Sequence, residues 1–128
     1  MRLLLDTCTL LWFLTNDPKL SQNAKIVIED PLSERWLSPV SLLEIAVKYK
    51  LGKLPLPKPY ALMFPAALTA EDIHLLPLES AHIEPLSTMP LYHRDPFDRL
   101  IAATALVEGL CLVSAEGTFD CYGLNRLW

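Results

Sequence analysis

The sequence predicts an α/β chain built on a mostly parallel sheet. Five short apolar segments have strand character, and stretches with helical caps and helical spacing separate them. Strands that alternate with helices argue for a parallel sheet covered by helices on both faces. Length and composition agree: 128 residues, 52% hydrophobic and 20% charged, suit one globular domain, 1–128, with no internal repeat and no boundary.

The first strand is Arg2-Leu3-Leu4-Leu5, a buried apolar run that ends on Asp6. Thr7 to Leu14 reads as a helix with Leu10, Leu11, Phe13 and Leu14 turned inward, and Asn16-Asp17-Pro18 is a turn. Ser21 caps a helix over 22–29, which Asp30-Pro31 stops. Arg35 to Ser38 is the second strand. Ser38-Pro39 then pairs an N-cap with proline at the first helical position, and the helix runs to about Leu51, closed by Gly52. On that helix Val40, Glu44, Val47 and Leu51 share one face, so Glu44 interrupts an apolar stripe.

Leu54 to Pro59 is a proline-rich extended linker, and a helix over 60–68 must break or kink at Pro65. Ile73 to Pro77 is the third strand, and 80–86 is a short helix interrupted by Pro85. Asp95-Pro96 opens a helix that Gly109 ends. Asp98, three residues past the cap, heads a face that continues through Ile101, Ala102 and Ala105. Cys111 to Ser114 is the fourth strand, a helical turn passes through Phe119, and Leu124 to Trp128 is the last strand.

A carboxylate at the top of an apolar stripe is costly unless it is paired, hydrogen-bonded or bound to a metal. Asp6, Glu44 and Asp98 are three of these, and Glu116 lies two residues past the fourth strand. Ligands of parallel sheets sit beyond the carboxyl ends of the strands. Asp6, Glu44 and Glu116 fit that edge. The helix over 95–109 enters a strand, so by spacing alone its start is placed at the opposite edge. Asp95 and Asp98 also have a plain reading, as an N-cap and as an acid in the field of the helix dipole.

A net charge of −4 argues against a general polyanion binder. Lys48, Lys50, Lys53 and Lys58 nevertheless form a local basic strip that suits phosphates, although lysines at a helix end are more often simply solvated. No apolar run reaches the length of a membrane span, and the first residues lack a signal-peptide pattern, so no membrane association is expected and the expected location is cytoplasmic. Cys8, Cys111 and Cys121 have no metal-ligand spacing and fit reduced thiols. Cys8 has no flanking base in sequence to make it a nucleophile. Trp12, Phe13 and Trp36 suit the core or a partner interface.

Taken in order, Asp6-Thr7-Cys8 after a strand, Ser38-x-x-Ser41-x-x-Glu44, His93-Arg94-Asp95-Pro96-Phe97-Asp98-Arg99 and Leu112-Val113-Ser114-Ala115-Glu116 form a pattern. It resembles the PIN-domain ribonucleases, and in particular the VapC-type toxins of bacterial toxin–antitoxin pairs. The likeness runs from Arg2 to Trp128, and the 93–99 segment is its most specific part. It implies a three-layer α/β/α sandwich whose acids, including Asp98, gather in one pocket and bind Mg2+ or Mn2+. By position it implies Asp6, Glu44 and Asp98 as the core acids, with Asp95 as an additional one. Glu116 stands where many relatives have aspartate, and Ser114 supports the site. It also implies an RNA substrate, a cognate antitoxin and a homodimer.

Hard oxygen donors suit these ions, and three or four neighbouring carboxylates need a cation or protons to coexist. In this reading Asp6 and Asp98 lead as metal ligands, and Glu44 is a further ligand or orients the attacking water. Asp95 is a ligand or the helix cap, and Glu116 acts through water or a second ion. Arg94 and Arg99 either hold phosphate or pair with neighbouring acids. His93, alone of its type beside the acids, reads as structural. Two other classes remain. An aspartyl-phosphate phosphatase would want a second acid where Cys8 stands, and a PIN-like module could bind RNA or a partner without cutting.

Overall fold

The computed structural model describes residues 1–128. Five strands, β1 (Arg2–Leu5), β2 (Glu34–Leu37), β3 (Ile73–Leu75), β4 (Cys111–Val113) and β5 (Arg126–Leu127), form one sheet in the order β3-β2-β1-β4-β5. Every neighbouring pair is parallel, and β1 lies at the centre with Leu5 opposite Leu37 on one side and Val113 on the other. Leu3, Leu4 and Leu5 are fully buried, which is why β1 reads as an unbroken apolar run instead of an alternation.

Successive side chains of a strand point to opposite faces, and the core divides accordingly. Leu3 and Leu5 pack with Leu10, Ile28, Phe64 and Leu68 on one face. Leu4 packs with Leu100, Ile101, Leu112 and Phe119 on the other. The layers are thus helix, sheet, helix. The first face carries α1 (Thr7–Thr15), α2 (Gln22–Glu29), α4 (Tyr60–Met63) and α5 (Ala66–Ala70). The second carries α7 (Pro96–Glu108), whose middle residues Leu100 to Ala105 are all buried. The remaining helix of that crossover is α6 (Ser80–Ile83), and α3 (Pro39–Lys50) contributes Ile45 to one cluster and Val40 to the other. No helix is long and apolar enough to cross a membrane.

The helix signals in the sequence hold. Ser21 accepts from the Ala24 N–H at 3.0 Å, Ser38 caps α3 ahead of Pro39, and Gly109 takes the left-handed conformation (φ 63°) that ends α7. Ser21→Ala should lower unfolding stability by about 1 kcal/mol in a denaturant titration, the usual worth of such a cap.

Some boundaries differ from the sequence reading. The third strand stops at Leu75, opposite Leu37, because its only neighbour β2 ends there and the chain turns into α3 at Pro39. The last strand shrinks to Arg126–Leu127, and the 60–68 helix is split around Pro65 into α4 and α5. On α3 the buried set is Val40, Ser41, Glu44 and Ile45, whereas Val47 and Leu51 are 44% and 60% exposed. The helix packs through its first turns only, and its last turn stands in solvent.

The expectation that the 95–109 helix starts at the far edge of the sheet is also corrected. A parallel strand is entered at its amino end, so a helix feeding β4 directly must descend from the carboxyl edge. The upward leg is α6 and the 3-10 turn after it (Glu84–Ser87): His82 on α6 meets Glu108, at the lower end of α7, at 2.6 Å. His93, just before α7, meets Glu116, just after β4, at 2.9 Å. The chain winds outward from β1 to β3 and then returns to place β4 on the other side of β1. The carboxyl ends of β1 and β4 therefore flank the point where the winding reverses, the usual ligand crevice of such sheets.

Candidate metal centre

Asp6 is the first residue beyond β1 and also the N-cap of α1: its Oδ1 accepts from the Thr9 N–H at 2.8 Å. Burial raises the Asp6 carboxyl above its ordinary pKa, with the Glu116 charge adding to the rise, while hydrogen bonds from Ser114 and Thr9 oppose it. Ser114, fully buried at the end of β4, also accepts the Glu116 N–H at 3.1 Å. One hydroxyl thus links the carboxyl ends of the two central strands.

Glu44 reaches the same place from α3, which the Thr7 to Ser41 hydroxyl bond (2.9 Å) ties to α1. Glu44 is only 7% exposed. Its Oε2 takes the Lys48 ammonium at 2.5 Å, and its Oε1 is buried with no partner. A buried carboxylate oxygen without a donor is costly, and a cation is the simplest thing that would satisfy it.

Asp98 projects from the first turn of α7. Burial first, then the charges of Asp95, Glu116 and Glu44, push its pKa up to about 6, against a counteracting pull from His93. Asp95 is the N-cap of α7, its Oδ1 accepting from the Phe97 N–H at 2.8 Å. The cap reading of Asp95 is therefore the one with a bond behind it.

Glu116 is half-exposed and bonded to a residue that the sequence reading set aside as structural. The His93 ring is 7% exposed, with Nε2 at 2.9 Å from Glu116 Oε1 and Nδ1 at 2.8 Å from the Tyr122 hydroxyl. Ligand atoms of His93, Asp98 and Glu116 lie within 4.8 Å of one another. This trio includes Asp98 of the sequence-expected set, while Asp6 and Glu44 are linked to it through their charges, Asp6 to Glu116 and Glu44 to Asp98. His93 carried a signal, its place in the 93–99 motif. Tyr122 carried none, lying 29 residues away.

Of the basic residues, Lys48 is in the site but engaged by Glu44. Arg99 has a buried Nε with no partner, and Arg94 is exposed and forms no ion pair. Cys8 sits among the acids; burial and the charges of Asp6, Glu44 and Asp98 push its thiol up, away from a reactive thiolate. Trp36 packs against the core, tilted over His74 at 5.4 Å, and Trp12 lies edge-on to Trp128 at 5.7 Å.

A comparison with family models decides the kinship: the PIN domain model matches residues 3–123, nearly the whole chain. The chain belongs to the PIN domain family. Solved structures similar to this PIN domain agree in fold. The VapBC2 complex of Rickettsia felis bound to a promoter DNA fragment matches at TM-score 0.67 and 16% identity, covering 99% of this chain and 98% of that one. VapBC-1 of nontypeable Haemophilus influenzae matches at TM-score 0.64 and 19% identity, over 99% and 97%. FitAcB of Neisseria gonorrhoeae matches at TM-score 0.59 and 18% identity, over 98% and 96%. No curated protein sequence matches this PIN domain.

The donor chemistry fits a hard divalent cation. The pocket is lined by carboxylates, its acids repel one another, and the Glu44 Oε1 lacks a partner.

Proposed function

We propose that this PIN domain is a metal-dependent endoribonuclease and the toxin of a toxin–antitoxin pair. The observation that carries the reading is the convergence of Asp6, Glu44, Asp98 and Glu116 on the crevice between β1 and β4, with one buried carboxylate oxygen left unsatisfied. Asp6 and Asp98 would hold Mg2+ or Mn2+, with Glu44 as a further ligand. When bound, such an ion lowers the pKa of a water and offsets charge developing on a phosphate.

The chain's own residues supply the rest. As the alternative to ligation, Glu44 would orient the attacking water once Lys48 lets go of it, and Lys48 would then be free for a phosphate oxygen. Arg99 and Arg94 are the other candidates for phosphate, Arg99 because its guanidinium has an unsatisfied donor. Asp95 fixes the first turn of α7 and so aims Asp98. Ser114 and Thr9 keep Asp6 in place.

The partner part of the proposal takes its support from the similar structures, VapBC2 bound to promoter DNA, VapBC-1 and FitAcB. On that support we propose an antitoxin partner, and with it, as the sequence resemblance implies, a homodimer and a cytoplasmic location.

The test is cleavage of a total-RNA pool by antitoxin-free protein with Mg2+, Mn2+ or chelator. Cutting that requires the ion is the expected result, and fragment ends then name the target. Folded, metal-loaded protein that binds RNA and never cuts it would favour a silent binding module instead.

A further inference from the structure

We infer that His93 is a positioning residue: with its tautomer set by Tyr122, it holds the Glu116 carboxylate at the metal pocket and takes no metal itself. This rests on the reading of the acidic pocket as a metal centre. Three contacts, one of fixed direction, favour one placement of the protons. The backbone N–H of His93 donates to the Tyr122 oxygen at 3.0 Å. With that acceptor site in use, the phenolic O–H has His93 Nδ1, at 2.8 Å, as its acceptor. A neutral imidazole that accepts at Nδ1 carries its proton on Nε2. That proton points at Glu116 Oε1, 2.9 Å away.

The other tautomer pairs less well. Nδ1–H would turn the phenolic proton out to solvent, and the Nε2 lone pair would face a carboxylate oxygen. A metal at Nε2 needs that same lone pair, so His93 is a poor ligand although its ring nitrogen lies near Asp98 and Glu116.

The ring is also held mechanically. It packs on Phe119 at 4.5 Å and lies nearly parallel to Tyr122, with ring centres 5.6 Å apart. Glu116 is the opposite case, a side chain about half exposed with several rotamers to lose. A rigid, buried donor that fixes an exposed carboxylate orients it toward a metal and tunes how strongly it binds.

The first test needs neither metal nor RNA. With 15N-labelled histidine in the metal-free full chain at neutral pH, His93 should show a protonated Nε2 and an unprotonated Nδ1; the reverse pattern, or protons on both nitrogens, overturns the inference. With Mn2+ bound, spin-echo spectra should show no directly coordinated histidine nitrogen, and a coordinated one would make His93 a ligand. His93→Gln should then lower kcat about 10-fold with KM little changed, the lower end of the roughly 10- to 100-fold cost of removing such partners. In a Glu116→Gln background the same change should cost nothing further, whereas full additivity would show that His93 does not act through Glu116. Tyr122→Phe keeps the ring stack and should mix the two tautomers, so the idea stays testable if His93→Gln folds poorly. If the wild-type chain cuts no RNA, the nuclease reading fails while the nitrogen spectra still decide the histidine.

Discussion

Asp98→Asn should abolish metal-dependent RNA cleavage and at the same time stabilise the metal-free protein. The two effects come from one cause. At neutral pH the Asp98 carboxylate is ionised in a half-buried place beside Asp95, Glu116 and Glu44, which is why its pKa is raised to about 6. Asparagine has the same shape and no charge, so the repulsion disappears. What is lost is the attraction between a negative charge and the amino end of α7, about 0.3–1 kcal/mol. Burial and the charges of Asp95, Glu116 and Glu44 together outweigh that, since their sum raises the carboxyl well above its ordinary pKa. The melting temperature in chelator should therefore rise by several degrees, while cleavage falls below about 1% of wild type, more than the loss expected for an outer-shell partner alone. Lowered stability with cleavage intact would mean that Asp98 serves the fold and not the reaction.

The second large effect is a coupling between pH, metal and stability. The carboxyl of Asp98 binds its proton more tightly in the folded chain, about 6, than in the unfolded one, near 3.8. A raised acid pKa stabilises the fold while the proton is on, so that contribution is lost as pH rises from about 4 through 6. Asp6 is shifted in the same direction and adds to the slope. A cation competes with the proton for the same oxygens, so Mg2+ should bind with proton release below about pH 6 and more tightly above it. At 100-fold over its dissociation constant it would return about 2.7 kcal/mol. Melting curves between about pH 4 and 8, in chelator and in Mg2+, should converge at the acid end and separate at the neutral end. Curves that rise together with pH, with and without metal, would contradict the linkage.

Much of this architecture is legible in the residues because it is set locally. Position and length favour a buried strand for the Leu3-Leu4-Leu5 run, where periodicity alone does not separate strand from helix, and Ser21, Ser38-Pro39, Asp95-Pro96 and Gly109 mark helix ends through bonds made within one turn. Asp6, Glu44 and Asp98 stand out because a charge in an apolar stripe has to be compensated. What local spacing leaves open is tertiary. The edge from which α7 descends depends on the upward leg made by α6 and its 3-10 turn, and on His82 reaching Glu108. Val47 and Leu51 look buried on a helical wheel, yet the sheet ends before their turn of α3 does. The Tyr122 to His93 bond joins residues from opposite sides of β4, and no periodicity announces it.

The most direct measurement is anomalous diffraction from crystals grown or soaked with Mn2+. A single strong peak in contact with Asp6 and Asp98, on the side of the crevice that faces Glu44 and Glu116, is the predicted result. Folded protein with Mn2+ in excess that shows no peak there, or only a peak elsewhere on the surface, would contradict the metal centre and with it the proposed chemistry.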